Sequence, residues 1–147
     1  MPGITVGIDG SHNSLEALEW AMKEAALQNS PLTVLTVHEV AANQWTGHPL
    51  IQPDVDNPAQ EKYRQAAEEA VAKVTSELGD VRPAAVTVRA VTGFAAHELI
   101  DAAKDSDLLV VGSRGGGGFA RLLLGSVTSQ VVHHAACPVV VVPTSRK

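Results

Sequence analysis

The sequence predicts an α/β fold, a doubly wound five-stranded parallel sheet with strand order 3-2-1-4-5, flanked by four helices. Five short apolar segments alternate with four segments of helical periodicity along the 147 residues. Strands separated by helices require crossover connections, which are right-handed and produce parallel sheets. Aromatic residues make up 3% of the chain, so the core must be built from aliphatic side chains. Such a core is typical of a parallel sheet covered on both faces by helices.

The first half of the chain predicts two strands, a helix between them and a long loop. Ile4–Ile8 is an apolar strand, and Leu32–His38 is a second one after the break at Pro31. Glu39–Asn57 contains prolines, a glycine and mixed polarity, which predicts an irregular loop, and a loop of this length is usually functional. Apolar residues at spacings of three and four predict the first helix, which Asn13 or Ser14 can cap. These apolar residues are Leu15, Leu18, Met22 and Ala25.

The second half of the chain continues the alternation. Asn57 and Pro58 supply a cap and a first-turn proline for a helix that ends at Leu78, before Gly79. No internal repeat, linker or shift in composition divides the chain, so we expect a single domain over residues 1–147. The remaining predicted elements are the strands Ala85–Val91, Leu108–Val111 and Val139–Val142 and the helices Ala95–Lys104 and Val127–His134.

Composition argues against nucleic acid and membrane partners. The net charge of −5 disfavours nonspecific DNA or RNA binding, which needs Lys and Arg to displace counterions. No apolar run approaches the roughly 20 residues of a membrane span. The single cysteine, Cys137, cannot form an internal disulfide, and the N-terminal residues lack the basic stretch and long apolar run of a signal peptide. We therefore expect a cytoplasmic location.

The glycine-rich segment between Gly112 and Ser126 predicts a phosphate site. Five of the seven residues 112–118 are glycine, which lets the backbone approach a ligand and expose its N–H groups to an anion. Gly125 and Ser126 open the last helix, whose free N–H groups and positive dipole end favour phosphate. Ser113 and Ser126 add hydroxyl donors, and Arg114 and Arg121 add positive charge. The alternative interpretation is a flexible connection between strand and helix.

Two common phosphate-binding motifs are absent from the sequence. It contains no G-x-x-x-x-G-K-[ST], so a P-loop NTPase is not indicated. The first turn, residues 7–11, does not match G-x-G-x-x-G, so a dinucleotide site of the Rossmann type is not indicated either.

The motif Gly112-x-x-Gly115, nine residues and then Gly125-Ser126 resembles the ATP-binding signature of the universal stress proteins. The resemblance covers the whole chain. It extends to the segments 6–14, 108–115 and 137–142, which are similar to the family's first strand and turn, fourth strand and last strand. It implies an adenine nucleotide alpha hydrolase-like fold that binds ATP with Mg²⁺ and has a nucleotide-dependent regulatory or stress-response role.

The resemblance also implies roles for individual residues. Adenine would lie near Val37 and Val111, whose apolar side chains suit a purine face. Asp9 would hold the ribose or a phosphate-linked Mg²⁺, although an Asx turn is the alternative explanation of this residue. Many family members have proline two places after the glycine that ends strand three, where this chain has Ala95 after Gly93 and Phe94. The implied nucleotide-binding residues are Ile8, Asp9, Val37, Val111, Gly112, Arg114, Gly115, Gly125, Ser126 and Val127.

The histidines, the cysteine and the serines give weaker indications of a metal site or of catalysis. His133, His134 and Cys137 do not predict a metal site, because zinc needs three or four converging ligands and adjacent helical residues point about 100° apart. His38 and His97 are expected to be hydrogen-bonded rather than catalytic. No histidine is placed by the sequence to activate Ser11 or Ser14, so we assign no catalytic residues and expect no enzyme. Trp45 is either an exposed residue of the long loop or a lid over the nucleotide.

The last predicted strand, Val139–Val142, is an apolar edge strand. Pairing with the same strand of a second copy would protect it and form a two-fold homodimer, which the family resemblance also implies. The main hypothesis is therefore an ATP-binding, dimeric regulator. The alternatives are an ATP-using enzyme on the same fold and a dimeric scaffold without nucleotide.

Overall fold

Strands and helices alternate along the part of the chain that this computed structural model describes, residues 3–9, 12–39, 58–113 and 126–143. The strands form one parallel sheet in the order β3-β2-β1-β4-β5. The predicted fold class and strand order are therefore confirmed. The elements are β1 Ile4–Ile8, α1 His12–Gln28, β2 Pro31–Glu39, α2 Pro58–Leu78, β3 Ala85–Gly93, α3 Ala95–Ala103, β4 Leu108–Gly112, α4 Ser126–His134 and β5 Val139–Val142.

The boundaries differ from the predicted ones by one or two residues. β2, β3 and β4 run further toward their carboxyl ends, because neighbouring strands continue to pair there, as at Glu39 with Gly93 and Gly112 with Val142. α2 has the predicted bounds, and Gly79 after it has a φ of +63°, the left-handed conformation that often ends helices. The predicted cap of α1 was wrong. The helix begins at His12, so Asn13 and Ser14 lie within its first turn.

Two helical layers cover the sheet and divide the core. On one face, α1 and α2 pack on Ile4, Val6 and Ile8 of β1. On the other face, α3 and α4 pack on residues of β2 and β4 that include Leu35, Leu109 and Val111. Gly7 lies on this second face, where a Cβ at its position would be 2.6 Å from the Leu99 side chain. The absence of a side chain at Gly7 therefore allows α3 to approach the centre of the sheet.

Side chains of α2 cover backbone groups of the edge strand β3. Gln60 Nε2 donates a hydrogen bond to the carbonyl oxygen of Ala90 at 2.8 Å, and Arg64 donates one to that of Val88 at 3.2 Å. The Thr92 hydroxyl in turn donates to Gln60 Oε1 at 2.8 Å. Among the described strands β3 pairs with β2 alone. These contacts therefore occupy acceptors that an unprotected edge would offer to another chain.

No helix in the described ranges has the length and apolar character needed to cross a membrane.

Candidate functional site

The carboxyl ends of β1 and β4 meet at the point where the winding of the sheet changes direction. β1 lies between β2 and β4 in the middle of the sheet. It leads into α1 on one face, whereas β4 is followed in the chain by α4 on the other face. A crevice forms between two such strands because their connections leave in opposite directions, and ligands of doubly wound sheets bind there. Several of the predicted site residues lie at this edge.

Asp9 follows β1 directly and is exposed. Its backbone N–H donates to the hydroxyl oxygen of Ser14 at 3.2 Å, and Ser14 is only 5% exposed in the first turn of α1. This contact ties the start of α1 to the end of β1 and presents Asp9 at the sheet edge. Because Ser14 is buried and its hydroxyl oxygen accepts this hydrogen bond, the side chain stabilises the turn between β1 and α1.

The end of β4 is fixed from two sides. The Thr128 hydroxyl donates to the carbonyl oxygen of Gly112 at 2.7 Å, and Thr128 is 5% exposed. On the other side the N–H of Ser113 donates to the carbonyl oxygen of Val142 at 2.9 Å. The first turn of α4, which begins at Ser126, is therefore held against the end of β4. The first N–H groups of a helix have no partner within it, and together with the helix dipole they favour an anion.

The apolar residues expected around adenine lie in different environments. Val37, Val111 and Val127 pack with the layer formed by α3 and α4, whereas Ile8 packs with α1 and α2. Val111 is 4% exposed and Ile8 is 7% exposed, while Val37 and Val127 are half-buried. The two half-buried valines therefore offer more side-chain surface to a ligand. Val111 and Ile8 mainly support the strand ends.

The remaining residues of the predicted phosphate site, and the predicted loop, lie outside the described residues. This applies to Arg114, Gly115, Arg121 and Gly125, and also to Trp45 and most of the predicted loop 39–57. Their roles remain predictions from the sequence.

Comparison with known proteins identifies the family. The profile described as the Universal stress protein family matches residues 2–143. The chain belongs to the universal stress protein family. The family resemblance drawn from the glycine pattern is thus confirmed. A curated universal stress protein of Mycolicibacterium smegmatis is 36% identical over 140 residues, which are 95% of this chain and 47% of that protein.

Other universal stress proteins are similar to this chain in sequence or in structure. Universal stress protein Rv2005c of Mycobacterium tuberculosis is 37% identical over 141 residues, 95% of this chain and 47% of that protein. The chain thus spans about half the length of the curated relatives it matches. Among solved structures, UspA from Lactobacillus plantarum superposes with a TM-score of 0.74 at 25% identity, covering 95% of this chain and 96% of that one. A universal stress protein in complex with cAMP superposes with a TM-score of 0.71 at 28% identity, covering 97% of both chains.

A cavity of about 190 Å³ lies beside the crevice in this universal stress protein. It is partly open to solvent and is lined by the ends of β1 and β2, the first turn of α1 and the side of α2 that carries Tyr63, Ala66, Ala67 and Ala70. The sequence did not predict it, because alanines in a helix indicate helix formation and not the space beside them. The available signal was the set of three alanines on one helix face, which leaves space where larger side chains would close it.

His38 departs from the expectation of a hydrogen-bonded histidine. Its ring packs on that of Tyr63, with 5.0 Å between the centroids and an angle of 31° between the planes. Its Nδ1 atom is buried and finds no hydrogen-bond partner in the described part of the chain. His97, by contrast, is exposed on α3.

The two histidines at the end of α4 form local contacts. His133 Nδ1 lies 2.8 Å from the carbonyl oxygen of Ser129, and the rings of His133 and His134 are 6.4 Å apart and tilted by 48°. Within the described residues no three His, Cys, Asp or Glu side chains are grouped so that they could hold a metal ion.

Partial burial raises the pKa of the Cys137 thiol. A hydrogen bond with the Leu109 backbone opposes this shift, and the nearby Asp107 carboxylate adds to it. The thiol is therefore protonated at neutral pH.

Proposed function

We propose that this universal stress protein binds an adenine nucleotide, ATP with Mg²⁺, and acts as a nucleotide-dependent regulator in the stress response. The observation that carries the proposal is the hydrogen bond from Thr128 to Gly112, which holds the first turn of α4 against the end of β4. Asp9 is exposed at the end of the neighbouring strand, so an anion-binding helix end and a carboxylate occur at the same sheet edge. A relative 28% identical over nearly the whole chain is in complex with cAMP, which supports the nucleotide class.

In this proposal the phosphates lie at the start of α4. The backbone N–H groups of Ser126 and Val127, with the Ser126 hydroxyl, would donate to phosphate oxygens. The phosphate site would be completed by the glycine-rich segment, as the glycine pattern of the sequence predicts. Its contributing residues would be Gly112, Arg114, Gly115 and Gly125. The half-buried side chain of Val37 would contact the base, next to the end of β4 at Val111.

The carboxylate of Asp9 and the phosphates of a nucleotide would together suit the binding of Mg²⁺. Magnesium is usually held by one or two carboxylates together with phosphate oxygens and water, rather than by a cage of protein ligands. The exposed carboxylate of Asp9 is of this kind, and the described residues offer no group of three or more metal-binding side chains. Asp9 would therefore supply one ligand, or hold the ribose hydroxyls, and the nucleotide would supply most of the others.

We propose a binding role rather than an enzymatic one. Phosphoryl transfer normally requires a positioned base or water-orienting group as well as a charge clamp. The Ser14 hydroxyl next to Asp9 is 5% exposed and already accepts a hydrogen bond, so it is poorly placed as a nucleophile. We expect any hydrolysis of ATP to be slow, and turnover near the ordinary enzymatic rate of about 10 per second would contradict the proposal.

The same proposal includes a cytoplasmic homodimer, with residues 1–147 as one domain. β5 is an edge strand, and its four valines are half-buried in the single chain. Pairing with β5 of a second copy would bury these side chains further and complete the edge. Sedimentation analysis tests this part, and a monomer at all concentrations would contradict it.

Calorimetric titration tests nucleotide binding. Protein stripped of co-purified ligand is titrated with Mg-ATP, and with AMP, cAMP and GTP as comparisons. We expect ATP to bind with a clear preference over GTP. The double variant Gly115→Val/Gly125→Val should lose binding while its circular dichroism and melting temperature stay close to those of the parent protein. Absence of binding to every nucleotide by folded protein would contradict the proposal and leave a dimeric scaffold.

A further inference from the structure

The cavity beside α2 lies on the opposite side of the sheet from α4. Its walls come from α1, α2 and the ends of β1 and β2. The helix end proposed for the phosphates belongs to the layer formed by α3 and α4. The two compartments adjoin at the end of β1, where Asp9 lines the cavity and is exposed directly after the strand. The cavity therefore lies on the α1 and α2 side of the sheet and adjoins the proposed nucleotide site at Asp9.

The sequence creates this cavity by placing short side chains on facing elements. α2 contributes Ala66, Ala67 and Ala70 to the lining, and β2 contributes Thr36. The space of about 190 Å³ is partly open to solvent. An engineered apolar cavity of about 150 Å³ in another protein stays dry and binds benzene. The cavity is thus large enough for one aromatic ring.

The walls are apolar, and the charged groups are on the open side. Besides the alanines, Ile8 and Leu15 contribute aliphatic surface. The two charged residues of the lining, Asp9 and Lys62, are both exposed, so they carry charge near solvent rather than in the depth of the cavity. Tyr63 lines the cavity, and its ring packs against that of His38, which is not part of the lining. A ring inside the cavity would find an aromatic neighbour that favours offset or edge-to-face contact.

We propose that this cavity is a second ligand site that takes a neutral molecule with a single aromatic ring, in contact with Tyr63 and the three alanines of α2. The cavity shares Ile8 and Asp9 with the residues implied for the nucleotide, but its other walls belong to α1, α2 and β2. A small polar substituent on the ring would point toward the open side, where Asp9 and Lys62 lie.

Tyr63 provides a specific reporter, because it is the only tyrosine in the chain. The test follows the NMR signals of the Tyr63 ring while phenol is added to the full chain without nucleotide. We expect saturable shifts, because the ring current of a bound phenol acts at short range. The absence of shifts, or shifts that grow linearly without saturation, would overturn the proposal.

Matched variants show whether the ring occupies the cavity. Ala70→Leu adds a branched side chain to the cavity wall and should abolish the saturable shift. Ala72→Leu makes the same change at an exposed position of α2 outside the lining and should leave it intact. If Ala70→Leu fails to fold, Ala66→Leu replaces it, because Ala66 also lines the cavity. Saturable shifts that persist in a folded cavity-filling variant would overturn the proposal.

A competition experiment separates this proposal from the nucleotide site. The phenol titration is repeated with adenosine in excess, and we expect the saturable shift of Tyr63 to remain. Displacement of phenol by adenosine would show that the cavity is the base compartment of the nucleotide site and would overturn the claim of a second site. Failure of ATP to bind in calorimetry would leave the phenol result unaffected.

Discussion

Substitution of Thr128 by valine tests how the first turn of α4 is held in place. Valine has nearly the shape of threonine but lacks the hydroxyl that donates to Gly112 at 2.7 Å. Thr128 is 5% exposed, so water cannot readily replace the lost donor. A typical intramolecular hydrogen bond contributes about 1 kcal/mol, and an acceptor left without its partner costs roughly 1 to 3 kcal/mol. We expect Thr128→Val to lower the free energy of unfolding by about 1 to 2 kcal/mol.

The assay is urea unfolding followed by circular dichroism, with thermal melting as a second measure. For a domain of this size the loss corresponds to a fall in melting temperature of roughly 3 to 6 °C. Thr128→Ser is the matched control, because it keeps the hydroxyl and removes one methyl group. If the valine variant is as stable as the serine variant or more so, the hydrogen bond does not hold α4. The valine variant should also bind ATP more weakly than the serine variant, because its helix end is less well positioned.

Two further substitutions and one alkylation experiment test other parts of the fold. Gly7→Ala places a Cβ 2.6 Å from the Leu99 side chain and should cost about 1 to 3 kcal/mol in urea unfolding; unchanged stability would show that α3 shifts freely. Gln60→Ala removes two hydrogen bonds at the edge strand and should speed amide hydrogen exchange in β3 more than in β1, whereas equal rates would contradict edge protection. Iodoacetamide should alkylate Cys137 more slowly than free cysteine at pH 8, because a raised pKa lowers the thiolate fraction; faster alkylation would contradict that shift.

The sequence predicted the order and type of the elements well because the signals were local. The strand β4 is a continuous apolar run buried between two layers, and α2 has apolar residues at helical spacing with a glycine after its last turn. The ends of the strands were less predictable. Pairing with a neighbour extends β2 to Glu39 and β3 to Gly93, and this pairing depends on a partner strand distant in the chain.

The caps and the site show where local reasoning fails. Ser14 looked like a helix cap, but its hydroxyl accepts from the N–H of Asp9, and the helix begins two residues earlier. Thr128 received no role, because its partner Gly112 lies sixteen positions away. The cavity was not predicted either. Alanines in a sequence indicate only a good helix former, whereas the cavity depends on residues of β2 such as Thr36, which are distant in the chain. The position of Asp9 at the sheet edge, by contrast, follows from local sequence, because it comes directly after an apolar strand.

The central claim is that the first turn of α4 binds the phosphates of an adenine nucleotide. The most direct test is ¹⁵N-resolved NMR of the backbone amides of Ser126 and Val127 during addition of Mg-ATP, with adenosine as the comparison. We expect large, saturable shifts of these amides with ATP and small ones with adenosine, because adenosine lacks phosphates. Saturable ATP binding that leaves both amides unshifted would contradict it.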